Sequence, residues 1–473
     1  MSLGMTNSQI LSRLAQLVED KEFLFDSTTE KWYSYRQLWN RAYAIANALV
    51  RCRHRTVIAV MNNGFNLFVL YFACMLSDIT IVPIDPLKSR KEIERIIADY
   101  KDYLLLADGD KIFYEDNDVV SKKIITDRIG SIDLDKDFII TYTSGSTGRS
   151  KGVIHNLRNL FFAAAVFGEV TRLNDKYSMA HVMPMTYMAG ILNTIILPFF
   201  CEAKIVLLPR FDIMSAINFW KAVERLNITA FWFSPTMLNM IMSLDKKAKV
   251  KEYLLKKDTL FFVGTAPLSE NTRQRFESKY GVQLLQSYGL TETLFISTET
   301  IEMDKDVKSV GTVLPHVKID FDNNNEICID VPWMFSGYYN ADNKDYFMEL
   351  KYKTGDIGMV DDKNRLSITG RIKDLIVKGG INISSAQIEK YLYEFEEITE
   401  CAVAGVTING EENIVCWYLL KSEMTLSHNE VNKFLEKELG RYYRIDYFCP
   451  LKNIPKNLNG KVDKMKLKRE FFL

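Results

Sequence analysis

The chain has 473 residues, 47% apolar and 12% aromatic, which supplies a large buried core and excludes a disordered chain. Its length predicts about two or three folding units rather than one small domain. Lysine plus arginine (60) balances aspartate plus glutamate (60), so neither nucleic acid nor an anionic membrane is indicated as the main partner.

In chain order, MSLG reads as a segment appended ahead of Met5, with no signal peptide after it. A helical pattern, YRQLWNRAYAIANALV (35–50), precedes the strand-like runs TVIAVMN (56–62) and TIVPIDP (80–86). RKEIERIIADY (90–100) is helical again, followed by YLLLA (103–107) and FIITYTS (138–144). Strands alternating with helices of this length predict a layered α/β domain with a mostly parallel sheet. AGILNTIILPFFCEAKIVLLP (189–209) is the most membrane-like stretch, but Asn193, Pro198, Glu202 and Lys204 interrupt it. It reads as a buried helix turning into a strand, in a soluble, cytoplasmic protein. KIVLLP (204–209), ITAFWFSP (228–235) and TLFFVG (259–264) continue the alternation.

Near residue 315 the texture changes. VKIDFDNNNEICIDV (317–331) reads as strand, Asn-rich turn and strand, and with RLSITG (365–370) it predicts a small β unit over about 312–371. The remainder returns to mixed α/β, with SAQIEKYLYEF and HNEVNKFLEKEL helical and AVAGVT and NIVCWYLL extended. Glycines flank the turn-like GRIKDLIVKGG (370–380), which predicts a large domain over 1–371 and a smaller one over 372–473. The cysteines (52, 74, 201, 328, 401, 416 and 449) form no C-x-x-C pair and read as reduced, buried thiols. The histidines form no H-x-x-x-H pair, which argues against zinc.

YTSGSTGRSKGVIHN (142–156) has the composition of a phosphate loop. Gly145 and Gly148 let the backbone turn its N–H groups inward, Thr143, Ser144, Ser146 and Thr147 add hydroxyl donors, and Lys151 adds a mobile charge. It is not a Walker A loop, because Lys151 lies between Ser150 and Gly152, and its glycine spacing is not G-x-G-x-x-G. Taken alone, it also reads as a flexible surface linker.

The stretch resembles the phosphate loop of the acyl-adenylate-forming enzymes, which include acyl-CoA synthetases, fatty-acid-CoA ligases, luciferases and peptide-synthetase adenylation domains. GTAPLS (264–269) is similar to that family's adenine-side segment, and QSYGLTET (286–293) to its aromatic-Gly-x-Thr-Glu motif. SGYYN (336–340), YKTGDIG (352–358), GRIKDLIVKGG and IPKNLNGKVDK (454–464) follow in the family's order over nearly the whole chain.

The resemblance implies a nucleotide site. Tyr288, flanked by Ser287 and Gly289, would offer its ring to adenine, with the backbone of Gly264, Thr265 and Ala266 close to the base. Thr291 would donate to a phosphate and Glu292 would hold Mg²⁺. Asp356 would accept from the ribose hydroxyls, Arg371 would brace ribose or α-phosphate, and Lys461 would be the catalytic lysine. It also implies that the small C-terminal domain is mobile, with a hinge at Lys373 and with Gly379 and Gly380 along a thiol channel. Tyr187, Trp232, Phe233 and Ser234 are candidate lining of the acid pocket, and aromatics there also fit plain core.

The activity implied is ATP-dependent conversion of a fatty or aryl carboxylic acid to acyl-AMP, then transfer to CoA. Loading of a carrier-protein phosphopantetheine and a nucleotide-binding protein that has lost catalysis are the alternatives. The chain departs from the family pattern at Ser150, where proline is usual, at Ser385 and Gln387, where Pro and Glu are usual, and at Thr186-Tyr187, where an aromatic-His pair is common. The Phe-Asp pair with which amino-acid-activating members bind an amino group is missing, which favours an uncharged tail.

Overall fold

The computed structural model describes residues 5–113, 120–143, 150–245, 249–303, 309–341, 343, 346–378, 381–408, 411–422, 424–456 and 462–471. Two mixed sheets build the first part of the chain. The larger has nine strands in the order 312–313, 294–298, 284–290, 260–263, 230–233, 178–181, 204–207, 22–26 and 31–34. Neighbours run parallel from Leu284–Leu290 to Glu22–Asp26, and the strands beyond both ends are antiparallel. The second sheet has six strands, ordered 337–338, 151–156, 137–143, 80–84, 56–60 and 104–107.

Side-chain alternation divides each central strand between two cores. Ala230 and Trp232 join the main core that both sheets share, while Phe231 and Phe233 enter a separate cluster on the outer face. In the second sheet Val57 and Ala59 face the shared core and Ile58 faces outward. Strands buried on both sides read as unbroken apolar runs, as AFWF and LFFV do. Helices within the shared core are apolar all round: every residue from Leu67 to Leu76 in helix Phe65–Ser77 is buried. The outer helix Ile213–Arg225 buries only a stripe of Ala216, Phe219, Trp220 and Val223.

A small antiparallel sheet follows. Lys318–Phe321 pairs with Glu326–Asp330 across the Asn-rich turn, where the Asp322 carboxylate accepts from the backbone N–H groups of Asn324 and Glu326. Glu326–Asp330 pairs with Lys351–Val360, which also pairs with Phe347–Met348 and Leu366–Arg371. The last part of the chain has the hairpin Leu375–Lys378/Ile381–Ser384 and a three-stranded sheet packed by helices Ser385–Leu392, His428–Leu439 and Lys464–Glu470. The fold is the expected mixed α/β arrangement, with a large N-terminal part, a small β unit and a smaller C-terminal module.

Two expectations change in detail. The apolar run 189–209 begins as a π-helix, Ala189–Ile196, continues through Leu197–Phe200 and ends in strand Lys204–Leu207, with the helical part lodged in the shared core. Among the described residues, no helix is long and apolar enough to cross a membrane. Strand Lys351–Val360 shifts register against Glu326–Asp330 across residues 354–356, where Gly355 has φ +72°. All cysteines are free, but Cys52 is exposed because it closes helix Tyr35–Cys52 on its solvent side.

Candidate functional site

A groove runs between the C-terminal ends of the parallel strands and the C-terminal module. One wall is organised by strand register. Pairing of Lys351–Val360 with Leu366–Arg371 sets Asp356 opposite Arg371. Asp356 is 1% exposed; its Oδ2 accepts from the Tyr288 hydroxyl at 2.7 Å, and its Oδ1 lies 2.6 Å from Arg371 Nε. The contact at Oδ1 is an ion pair without an aligned hydrogen bond, so this buried oxygen still has acceptor capacity. Burial, and then the Asp356 charge, push the Tyr288 hydroxyl well above its ordinary range, which keeps it a donor.

Tyr288 is held by a tight crossing. A Cβ on Gly289 would lie 2.0 Å from the Leu294 carbonyl oxygen, so the strands around 288–295 can close only over glycine. Ser287 is fixed by a 2.8 Å hydrogen bond between its Oγ and Thr298 Oγ1. Across the groove, Gly264, Thr265 and Ala266 follow strand Leu260–Val263. Thr265 has φ +69°, a left-handed conformation that costs a residue with a Cβ about 1 kcal/mol.

The phosphate side rests on a hairpin. Residues read as loop at 151–156 form a strand antiparallel to Asp137–Thr143, with Thr143 opposite Lys151. Lys151 Nζ bonds the Tyr346 hydroxyl and lies 4.1 Å from the Tyr346 ring centroid and 5.1 Å from that of Tyr338. Ser150 Oγ donates to Glu92 at 3.1 Å, which secures the position where proline was expected. Thr291 and Glu292 occupy the turn after strand Leu284–Leu290. The Thr291 carbonyl accepts from His155 Nε2 at 2.7 Å; burial pushes this imidazole down to about 4, so it is neutral and donates through Nε2. The Glu292 carboxylate accepts from the Tyr338 hydroxyl at 2.7 Å, and Tyr338 meets the Tyr352 hydroxyl at 2.9 Å. Burial first, then the Glu292 charge, raises both phenols and keeps them protonated.

Among the described residues, no three His, Cys, Asp or Glu side chains gather into a metal cage. A single carboxylate such as Glu292 could hold Mg²⁺, a cation that ordinarily keeps several waters and needs few protein ligands.

On the acid side, Tyr187 and Trp232 line the groove, but two other candidates do not. Phe233 is fully buried in the outer cluster, because it follows Trp232 on a strand and faces the opposite way. Ser234 caps helix Pro235–Leu244, accepting from Met237 N–H at 3.3 Å with Pro235 at the first helical position. In their place the π-helix segment contributes Met188, Ala189, Leu192 and Asn193. Sequence reasoning passed over these four, and over Tyr338, Tyr346 and Tyr352. Tyr338 and Tyr352 lay inside recognised motifs; Tyr346 and the π-helix had no local signal.

Lys373 lies in the 3₁₀ turn Ile372–Asp374 at the groove's rim. Ser385 accepts from Lys464 Nζ at 3.1 Å and Gln387 accepts from the Tyr443 hydroxyl at 3.1 Å, so both departures are engaged within the C-terminal module. Ser144, Gly145, Ser146, Thr147, Gly148, Gly379, Gly380 and Lys461 lie outside the described residues.

Comparison with known proteins gives consistent likenesses. The AMP-binding enzyme family pattern matches residues 11–339, and that of the AMP-binding enzyme C-terminal domain matches 387–461. The chain is 28% identical over 370 residues to malonate-CoA ligase of Arabidopsis thaliana, a match covering 71% of this chain and 61% of that protein's length. It is 23% identical to long-chain-fatty-acid-CoA ligase FadD13 of Mycobacterium tuberculosis, over 94% of each. The solved structure of ATP-bound MatB from Rhodopseudomonas palustris superimposes with a TM-score of 0.86 at 22% identity, over 98% of this chain and 99% of that one.

Proposed function

Because the chain belongs to the AMP-binding enzyme family, we propose that it activates a carboxylic acid, fatty or aryl, with ATP and transfers the acyl group to the thiol of CoA. The observation that carries this reading is Asp356: a buried carboxylate on the groove wall, tied to Arg371 and Tyr288, whose Oδ1 accepts no aligned hydrogen bond. Relatives are named for malonate and for long-chain fatty acids, so kinship by itself selects no single acid.

In the first step a carboxylate oxygen attacks the α-phosphorus of ATP and pyrophosphate leaves with the electrons of the broken P–O bond. Tyr288 and the strained 264–266 backbone hold the base, Asp356 the ribose, and Thr143, Lys151 and Thr291 the phosphates. Glu292 would hold Mg²⁺, which when bound would supply positive charge near the departing pyrophosphate. Lys461 would lie between carboxylate and α-phosphate, where negative charge accumulates. In the second step the thiolate sulfur attacks the acyl carbonyl and AMP leaves. We place the domain boundary at 371/372 and the hinge at Lys373, so that rotation of the C-terminal module withdraws Lys461 and admits the thiol beside Gly379 and Gly380.

The experiment is pyrophosphate release with ATP and Mg²⁺ across fatty, aryl and amino acids, each with and without CoA. CoA-stimulated release with a thioester product is expected for one class. Acid-dependent release with no CoA thioester would replace CoA by a carrier-protein phosphopantetheine, and no acid-dependent release at all would overturn the ligase reading.

A further inference from the structure

We propose that the acid bound by this chain carries a neutral hydrogen-bond acceptor in its tail, a carbonyl, ether or hydroxyl oxygen, and that Asn193 and Trp232 recognise it. This rests on the ligase reading and adds a substrate class to it.

Two polar side chains on the acid side have no hydrogen-bond partner among the described residues. Asn193 is 6% exposed on the groove wall, and its amide makes no hydrogen bond among the described residues. Its neighbour Thr194 is fully engaged, donating to Gly190 O at 2.8 Å and meeting His181 Nδ1 at 2.7 Å. The buried Asn432 uses both ends of its amide on Ile445. Trp232 is 2% exposed and its indole Nε1 has no acceptor. By contrast the buried Trp39 and Trp333 donate to the carbonyls of Leu17 and Thr293. A Cβ on Gly264 would lie 3.2 Å from the Ser287 carbonyl oxygen and 3.4 Å from Trp232 Nε1, so glycine is what lets the chain pass this close to the indole edge.

Buried polar groups are ordinarily satisfied, and each orphan left facing a cavity favours a ligand that completes it. A saturated alkyl tail would exclude water from both groups and give nothing back. A tail oxygen can accept from the indole N–H and from the Asn193 amide. The acceptor is neutral because segments 187–193 and 232–244 bring no lysine or arginine to the groove wall, and Arg371, whose charge reaches Tyr187, is already paired with Asp356. Met188 and Leu192 supply the apolar surface for the rest of the tail.

The test uses the full chain and pairs of non-hydrolysable acyl-sulfamoyl adenosines that differ only in a tail C=O replaced by CH₂, with the carbonyl moved along the tail one carbon at a time. Calorimetric binding of the best ketone at least about tenfold tighter than its methylene partner is expected. Asn193→Leu and Trp232→Phe should each remove most of that preference, read as the ratio of the two affinities within each variant. Equal binding of every pair by the unmodified chain overturns the inference, as does equal weakening of both partners in the variants. Tightest binding of an analogue with a carboxylate in the tail overturns the neutral acceptor. Failure of every analogue to bind overturns the adenylation reading itself.

Discussion

Asp356→Asn is the most informative single substitution. The carboxylate is 1% exposed, pairs with Arg371 at 2.6 Å and accepts from Tyr288 at 2.7 Å. An amide can still accept from Tyr288 through its oxygen, which turns its NH₂ toward the guanidinium and removes the acceptor assigned to ribose. Breaking a fully buried pair costs about 3–5 kcal/mol. The Arg371 side chain is 40% exposed and can turn to water, so the stability loss should be nearer 1–2 kcal/mol, small enough for the variant to remain folded. Losing a hydrogen bond between a ribose hydroxyl and a charged acceptor costs about 1.5–3 kcal/mol, which is roughly a 10- to 150-fold weaker affinity for ATP. The assay is calorimetric titration with ATP and with 2′,3′-dideoxy-ATP, beside a thermal melt. The unmodified protein should lose affinity for the dideoxy nucleotide, and Asp356→Asn should bind both nucleotides alike. A folded Asp356→Asn protein that still discriminates between them would refute the ribose assignment.

Three further outcomes are expected. Tyr338→Phe removes the donor to Glu292 and should weaken Mg²⁺-dependent pyrophosphate release by roughly 10- to 100-fold, read from Mg²⁺ titrations; an unchanged Mg²⁺ dependence would separate Tyr338 from Glu292. Lys461→Ala should cut adenylation by about 10²–10³-fold while largely sparing thioester formation from supplied acyl-AMP, and comparable loss in both half-reactions would remove the proposed role. His155 and His181 are both pushed down to about 4 by burial, below the 6.5 of an unfolded histidine. As pH falls the unfolded chain therefore takes up these protons first, so the stability is whole above 6.5 and is lost between 6.5 and about 4. The loss is roughly 3 kcal/mol per histidine. Urea midpoints should follow that acid limb, and His155→Gln with His181→Gln should flatten it.

Strands such as Ala230–Phe233 and Leu260–Val263 were legible because they are buried on both faces and carry unbroken apolar runs, whereas Ser178–His181 (SMAH) carries no such run and was passed over. The nucleotide motifs were legible because glycine, hydroxyl and carboxylate residues recur there in a familiar order. What a linear reading blurred was direction. Trp232 and Phe233 are adjacent and chemically alike, yet only one faces the groove, and that depends on which sheet face each occupies. Ser234 looked like a polar lining residue, but its Ser-Pro context is also a helix-start signal, and the cap is what the chain uses. The tyrosine support beneath Glu292 comes from strands distant in sequence, so spacing could not reveal it. Asn193 was visible only as a flaw in an apolar run.

That flaw lies in a π-helix, whose wider turn holds one residue more than an α-helical turn of equal rise. Deleting one residue between Ala189 and Asn193 would remove that surplus and let the segment relax to α-helical winding, with the downstream side chains close to their present facing. The same loss inside an α-helix turns everything after it by about 100°. In helix Ile213–Arg225 it would carry the buried stripe of Phe219, Trp220 and Val223 toward solvent. The groove wall at Asn193 can therefore change length by one residue and keep its aim, where an ordinary helix could not.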